Sequence, residues 1–354
     1  MPRAVRDTIY PEMTELPDVL DTLDQPLTAA AVGAALELGL FWLLETESRD
    51  AAELGRALGI PVGRCRTWLK LLAGAGLVEE HAGLYSPTAS ARTEILARYS
   101  AETWRFLAQE ARERLDAVRD LPRKLRARHE SAPDGKPAYV LRMSEDPDRA
   151  SRFTRMLFEL HAPMAAELAA RLDLTGVRRL LDLGGGSGVV AVALAKRWPE
   201  LSVTVLDIPN VCAAGLEIVE AEARSVAERV EFRPADFLVG DLPGGFDAVL
   251  ECDVSIYTEP LFRRVRSALA PGGRFIVADE FQPVGGSLDP ALVGWTLVRT
   301  LADPGWCAPT VDGTCELLVR SGFTPATTIS LGARAGAGGR TSEQIALQAT
   351  VRVD

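Results

Sequence analysis

Residues 180–188 read LLDLGGGSG. Apolar residues run into a carboxylate and then into glycines, the pattern of a strand entering a tight turn. Without side chains there, a ligand can reach main-chain N–H groups at the start of the helix that follows. A glycine cluster alone is a weak signal, so spacing has to carry the reading. Asp207 ends the next predicted strand, where a carboxylate can accept hydrogen bonds from both hydroxyls of a ribose. Asp236 and Phe237 end a third, where the carboxylate can accept from an adenine amino group and the ring can stack on the base.

Outward from this stretch, strands and helices alternate. RRLLDL (178–183), LSVTVLDIP (201–209), VEFRPADF (230–237), DAVLECDV (247–254) and RFIVADEF (274–281) read as strands. VAVALAKRWP (190–199), AAGLEIVEAEARSVA (213–227) and LFRRVRSALAPGG (261–273), the last with a glycine stop, read as helices between them. The order predicts an α/β domain, an open, doubly wound, mainly parallel sheet covered on both faces. Such sheets bind ligands at the carboxyl ends of their strands, which is where Asp182, Asp207 and Asp236 fall. The tail (315–353) reads as one helix and two closing strands around a glycine-rich loop.

The front of the chain has a different texture. Residues 26–46 predict a buried helix, and 50–58 and 62–74 predict two helices about a GIP turn, followed by a hairpin in VEEHAGLYSPT (78–88). This resembles a winged helix-turn-helix. Arg64, Arg66 and Lys70 lie on its second helix, where a DNA reader places contacts. The formal charge of −10 and the neighbouring Glu53, Glu79 and Glu80 favour a solvated face over nucleic-acid binding. Residues 100–130 predict a charged amphipathic helix interrupted at Pro122, with Trp104, Leu107, Ala111 and Leu115 on one face. Residues 152–164 predict another, with Phe153, Met156, Leu157, Leu160 and Met164 at helical spacing.

No apolar run approaches a membrane span, and MPRAVRDTIYPEMTEL lacks the apolar core of a secretory signal. Five cysteines without a CxxC pair, beside only three histidines, predict free thiols, a cytoplasmic address and no metal site.

The motifs DLGGGSG (182–188), LDIPNV (206–211), ADF (235–237) and LAPGGR (269–274) occur in the order that resembles class I S-adenosylmethionine (SAM) dependent methyltransferases. With the winged-helix front, residues 20–350 are similar to the small-molecule O-methyltransferases of bacterial antibiotic pathways and plant phenolic metabolism. The resemblance implies a Rossmann-like SAM-binding sheet with an antiparallel closing strand, preceded by a mainly helical winged-helix dimerisation domain. The division it implies is 1–99 for that domain, 100–165 for linking helices that contribute to the acceptor site, and 166–354 for the methyltransferase domain. It further implies a homodimer, a small-molecule acceptor, and no nucleic-acid or membrane partner. For the cofactor it implies Asp182, Gly184, Gly186 and Gly188 along the methionine and ribose, and Asp207 on the ribose diol. Ile208 would pack on the adenine, and Asp236 with Phe237 would fix it from the other side. Cys252 falls where many relatives carry Lys or Ser.

The resemblance breaks at ECDVSIYTEPLFRR (251–264). Many relatives place a His-Asp pair here, with the His as general base; this chain has Ile256 and Tyr257 instead. Downstream, DPGWCAPT (303–310) keeps Thr310 but lacks the acidic residue that often supports that His. Three routes are compatible with this. The acceptor is acidic enough for positioning alone to suffice; another residue, His161 or less readily Tyr257, takes the proton; or SAM is bound without methyl transfer, as in a hydroxylase of the same family. The acceptor wall is expected from Trp104, Phe153, Met156, Leu160, Met164, Trp295, Val298, Arg299 and Trp306, a mixture that suits a flat apolar molecule. Arg299 facing inward favours a carboxylate or phenolate. C-methylation and a winged-helix regulator with a vestigial SAM-sensing domain are the alternatives.

Overall fold

The computed structural model describes residues 19–127, 138–282, 293–302, 307–335 and 341–352. The chain forms two compact units, Met1–Glu113 and Arg114–Asp354. The expected boundary at residue 99 lies ahead of a helix, Ala101–Val118, that runs through the observed one.

The first unit opens with α1 (Val19–Leu38) and α2 (Leu40–Leu43). The single helix expected over 26–46 is broken because Gly39 takes φ 77°, a left-handed conformation that glycine adopts without steric cost. Burial is one-sided: Ala35, Leu36, Leu40 and Phe41 are inside, whereas Leu23 and Leu27 are 68% and 66% exposed. After β1 (Arg49–Asp50), α3 (Ala51–Leu58) starts in a capping box. The Asp50 carboxylate accepts from the Ala52 and Glu53 N–H groups, and Glu53 accepts from the Asp50 N–H. On α4 (Val62–Gly74), Cys65, Leu69 and Leu72 point inward and Arg64, Arg66 and Lys70 are exposed. Strands β2 (Val78–His81) and β3 (Leu84–Pro87) complete a small antiparallel sheet in the order β1-β3-β2, the wing of a winged helix. After α5 (Ala89–Ala91) comes α6 (Ala101–Val118). Its buried positions are Thr103, Phe106 and Ala108 rather than the expected stripe, and Leu115 is 41% exposed.

In the second unit, α7 (Leu121–Lys124) and α8 (Ala138–Glu145) precede α9 (Pro147–Leu160) and α10 (Ala162–Arg171). The one helix expected over 152–164 is two. Pro163 has no N–H to continue the helix of α9 but suits the first turn of α10, so the chain breaks at His161. The sheet then unfolds as predicted: β4 (Arg179–Leu183), α11 (Val189–Arg197), β5 (Ser202–Asp207), α12 (Pro209–Glu222), β6 (Val230–Pro234), β7 (Phe246–Cys252), α13 (Glu259–Ala268) and β8 (Leu269–Asp279). It closes with α14 (Val293–Ala302), α15 (Val311–Arg320), β9 (Thr327–Ala335) and β10 (Thr341–Thr350). Strand β8 begins earlier than the sequence suggests. Leu269 pairs with Phe246, and a register shift before Ala248↔Arg274 absorbs the Pro-Gly-Gly that reads as a helix stop.

The strand order is β6-β5-β4-β7-β8-β10-β9, with β4 to β8 parallel and β10 antiparallel to both neighbours. Alternate residues of the central strands feed two apolar layers. Leu180, Val205, Leu250 and Ile276 pack with α10 and α11 through Leu168 and Leu194. On the other face Leu181, Val249 and Phe275 pack with α13 and α15 through Phe262 and Leu318. With both faces covered, the strands read as near-continuous apolar runs. The order reverses between β4 and β7, so the crevice of this sheet opens at their carboxyl ends.

Candidate active site

The chain leaves β4 through a turn whose backbone favours glycine. Gly184, Gly186 and Gly188 take φ values of 71°, 53° and 73°. Gly188 starts α11, and a Cβ on it would lie 2.8 Å from the Phe232 ring. The intervening Gly185, which the sequence reading passes over, lies directly on the Asp182 carboxylate and leaves no space for a side chain. Gly215 is required in the same way, because a side chain there would overlap Phe232.

Asp207 joins the two sides of the crevice. Its Oδ2 accepts from the Gly186 N–H at 2.9 Å and its Oδ1 from the Ile208 N–H at 2.7 Å. Each oxygen keeps a further lone pair for a ligand hydroxyl. Burial pushes this carboxyl up to about 6, against the pull of the two N–H groups. Asp182 is buried with neither oxygen hydrogen-bonded, and burial followed by the charge of Asp207 raises it to about 7. A buried carboxylate without a hydrogen-bond partner, beside the half-buried Asp207, is costly unless a ligand with donors or positive charge offsets it.

Asp236 and Phe237 lie just past the end of β6 rather than within it. The Asp236 Oδ1 accepts from the Leu238 N–H at 3.0 Å, which fixes the turn. Phe237 is buried, and its ring would lie 3.4 Å from a Cβ on Gly184. Ile208 and Phe153 both pack against the cluster of Met143, Ala150 and Val211, which places Phe153 on the Ile208 side of the crevice. Together these groups fit a SAM molecule: a carboxylate for the ribose diol, an apolar side chain and a ring beside the base, and a glycine turn closed to everything but main chain.

The end of β7 brings together polar groups that the sequence reading only partly located. Cys252 Sγ lies 3.8 Å from Met164 Sδ, which seats α10 over the strand end. Burial, then the surrounding carboxylates, pushes the thiol well above its ordinary value. Asp253 and Ser255 both take left-handed backbone conformations, with φ 58° and 56°. Ser255 Oγ donates to Asp279 Oδ2 at 2.9 Å, the Tyr257 hydroxyl donates to the same oxygen, and the Glu280 N–H donates to Asp279 Oδ1. Burial and the charge of Asp253 raise Asp279 to about 6. Burial and the charge of Asp279 push Tyr257 well above the usual phenol range, so it is a donor here. Glu251 is fully buried beside them, with no partner of normal hydrogen-bond geometry, and is raised well above the carboxylate range by burial and by Asp279; the Ile256 N–H offsets this only in part.

His161, at the break between α9 and α10, lies over this end of the sheet. Its Nε2 is 3.3 Å from Asp253 Oδ2, with the two side chains 15% and 30% exposed. Asp253, Asp279 and Ser255 are residues that sequence reasoning missed. Among the other expected wall residues, Met156 and Met164 are buried and Leu160 is half-buried. Trp104 sits in the core of the first unit, donating its indole N–H to Ile95 O at 2.8 Å. Val298 and Arg299 are half-buried on α14, which also carries Trp295, and Trp306 lies outside the described residues. Among the described residues no group of three or more His, Cys, Asp or Glu is arranged to hold a metal ion.

The fold and this crevice define a SAM-binding α/β domain joined to a winged-helix unit. Residues 116–323 match the O-methyltransferase domain family, and the chain belongs to that family. It is 31% identical over 286 residues to the 3-hydroxy-5-methyl-1-naphthoate 3-O-methyltransferase of Streptomyces sahachiroi, covering 75% of this chain and 78% of that protein. The solved structure of the mitomycin 7-O-methyltransferase MmcR superposes with a TM-score of 0.74 at 25% identity, covering 93% of this chain and 96% of that one. Human N-acetylserotonin methyltransferase in complex with SAM shares the fold, with a TM-score of 0.74 at 20% identity over 97% of this chain and 100% of that one. The protein is therefore a SAM-dependent methyltransferase. Among the described residues no helix is long and apolar enough to cross a membrane.

Proposed function

We propose that this enzyme methylates an oxygen of an aromatic or polyketide-like small molecule of secondary metabolism. The observation that carries the reading is the Asp207 bridge between Gly186 and Ile208, which builds a SAM cradle in a chain resembling a naphthoate O-methyltransferase. SAM, held by Asp207 and the glycine turn, would supply an electrophilic methyl to the acceptor oxygen and would leave as a neutral thioether. The protein holds the acceptor oxygen in line with that methyl and receives its proton.

For that proton, His161 is the better acceptor. It is a side chain suited to proton transfer near neutral pH and lies beside a carboxylate at the strand end, whereas the Tyr257 hydroxyl already donates to Asp279. Met156, Leu160 and Met164 supply apolar wall on the same helices, and Arg299 on α14 suits an acceptor carboxylate or phenolate. Asp182, Gly184, Gly186, Gly188, Asp236 and Phe237 complete the cofactor site, and Cys252 lies at its edge. The working form is a homodimer through the first unit, supported by Leu23, Leu27 and Leu38, which leave one side of α1 apolar and exposed. We further place it in the cytoplasm, in keeping with five unpaired cysteines.

The test is turnover with 13C-methyl SAM against hydroxylated aromatic acids, amines and keto acids, read by NMR of the product. A methoxyl or methyl-ester signal supports oxygen as the acceptor; a methyl on carbon or nitrogen overturns it.

A further inference from the structure

The turn after β6, which carries Asp236 and Phe237, is held from three sides. At its start the Ala235 N–H donates to Asp207 O at 2.8 Å, joining it to the end of β5. Within the turn, Asp236 Oδ1 accepts from the Leu238 N–H, and Asp236 O accepts from the Val239 and Gly240 N–H groups at 3.3 and 3.1 Å. The third hold comes from α13. Arg264 Nη1 donates to Gly240 O at 2.6 Å, and its Nη2 donates to Leu238 O at 3.0 Å. Its neighbour Arg263 bonds to Glu259 at the surface, whereas the half-buried Arg264 turns its fork onto two carbonyls. A planar guanidinium suits that task, because its N–H groups point in fixed directions. The same helix supplies Leu261, Phe262 and Val265 to the apolar layer that buries Phe237.

We infer that Arg264 is the positioning residue for the adenine end of the cofactor. By holding the Leu238 and Gly240 carbonyls it sets where the Asp236 carboxylate stands, and with it the preference for a purine that bears an amino group at C6. The inference rests on the reading of Asp236 and Phe237 as the adenine contacts and adds the residue that sets them in place. The link runs through one peptide unit. Between Leu238 and Val239, the oxygen accepts from Arg264 while the N–H donates to Asp236 O, so the cation on one side strengthens the bond on the other. A charged donor also makes a stronger hydrogen bond to a carbonyl than a neutral one does. A carboxylate so placed accepts from the adenine amino group, but it meets the oxygen of a 6-oxopurine as acceptor against acceptor. Lysine at position 264 keeps the charge and replaces the fork by a point donor, so it cannot hold both carbonyls in the same geometry.

The test is calorimetric titration of the full-length protein with S-adenosylhomocysteine and with S-inosylhomocysteine, in which an oxygen replaces the amino group. The wild type is expected to favour the amino form by on the order of 10²-fold. Arg264→Lys is expected to lose about 10-fold or more of that preference, with a ligand-free melting temperature within about 5 °C of the wild type's. A role in the fold alone would instead lower the melting temperature and weaken both ligands equally, which overturns the inference. Asp236→Ala separates the inference from the reading beneath it. Preference lost in both variants supports the inference. Preference lost in Asp236→Ala but kept in Arg264→Lys overturns the inference and leaves the adenine reading standing. Equal wild-type affinity for the two ligands, or preference kept in Asp236→Ala, overturns the adenine reading and the inference with it. Should Arg264→Lys fail to fold, Arg264→Gln is titrated in its place; failure of both to fold assigns Arg264 to the fold and overturns the inference.

Discussion

The Gly186 N–H donates to Asp207 Oδ2 at 2.9 Å, tying the turn after β4 to the end of β5. With the Ile208 N–H on Oδ1, this bond fixes the orientation of a carboxylate whose remaining lone pairs are proposed to take the ribose hydroxyls of the cofactor. Asp207→Ala removes charged hydrogen bonds and should weaken S-adenosylhomocysteine binding by about 1–3 kcal/mol, roughly 5- to 150-fold. Isothermal titration of the two proteins checks this, and equal affinities would remove the carboxylate from the site.

Gly185 has no room for a side chain, because the Asp182 carboxylate occupies that volume. Gly185→Ala should therefore lower stability by about 1–3 kcal/mol and impair cofactor binding. Gly33 in α1 has nothing within 4 Å of its missing Cβ, so Gly33→Ala serves as the control and should stabilise by about 0.5–1 kcal/mol. Denaturant melts of both variants decide the matter.

Asp182 and Asp207 titrate at about 7 and about 6 in the folded chain, above an ordinary carboxylate at 3.8. Between those values the folded protein holds more protons than the unfolded one. Stability from these groups is therefore complete below about pH 4 and is lost as pH rises through 6 and 7. Asp182→Asn mimics the protonated form and should raise the melting temperature of the ligand-free protein by about 5 °C at pH 8, and by less than half as much at pH 5. Equal shifts at the two pH values would contradict the buried, unpartnered carboxylate.

Leu27→Glu places a charge on the exposed apolar side of α1, where Leu23 and Leu38 also lie. Sedimentation should show the wild type as a dimer and this variant as a monomer with its fold intact. A monomeric wild type would refute assembly through this helix.

The cradle was legible because it is local. LLDLGGGSG contains its own strand, its own left-handed turn and its own carboxylate, and Asp207 follows at the next strand end. Gly185 and Gly215 escaped notice because their need is steric and set by Asp182 and Phe232, which only the folded chain brings against them. The helix break at His161 was signalled by Pro163, and the break at Gly39 by the glycine itself; in both places apolar periodicity outweighed the single residue that mattered. Asp253 was not legible as a partner of His161. Their meeting depends on the loop after β7 being fixed from β8 through Asp279, a relation between neighbouring strands that no local pattern records.

Purified protein incubated with trideuteromethyl SAM and an extract of its producing organism, then read by mass spectrometry, should show one small aromatic molecule gaining a single labelled methyl, with an equal amount of S-adenosylhomocysteine formed. Tight binding of S-adenosylhomocysteine with no labelled product would contradict the assignment and leave a cradle that holds the cofactor for another purpose.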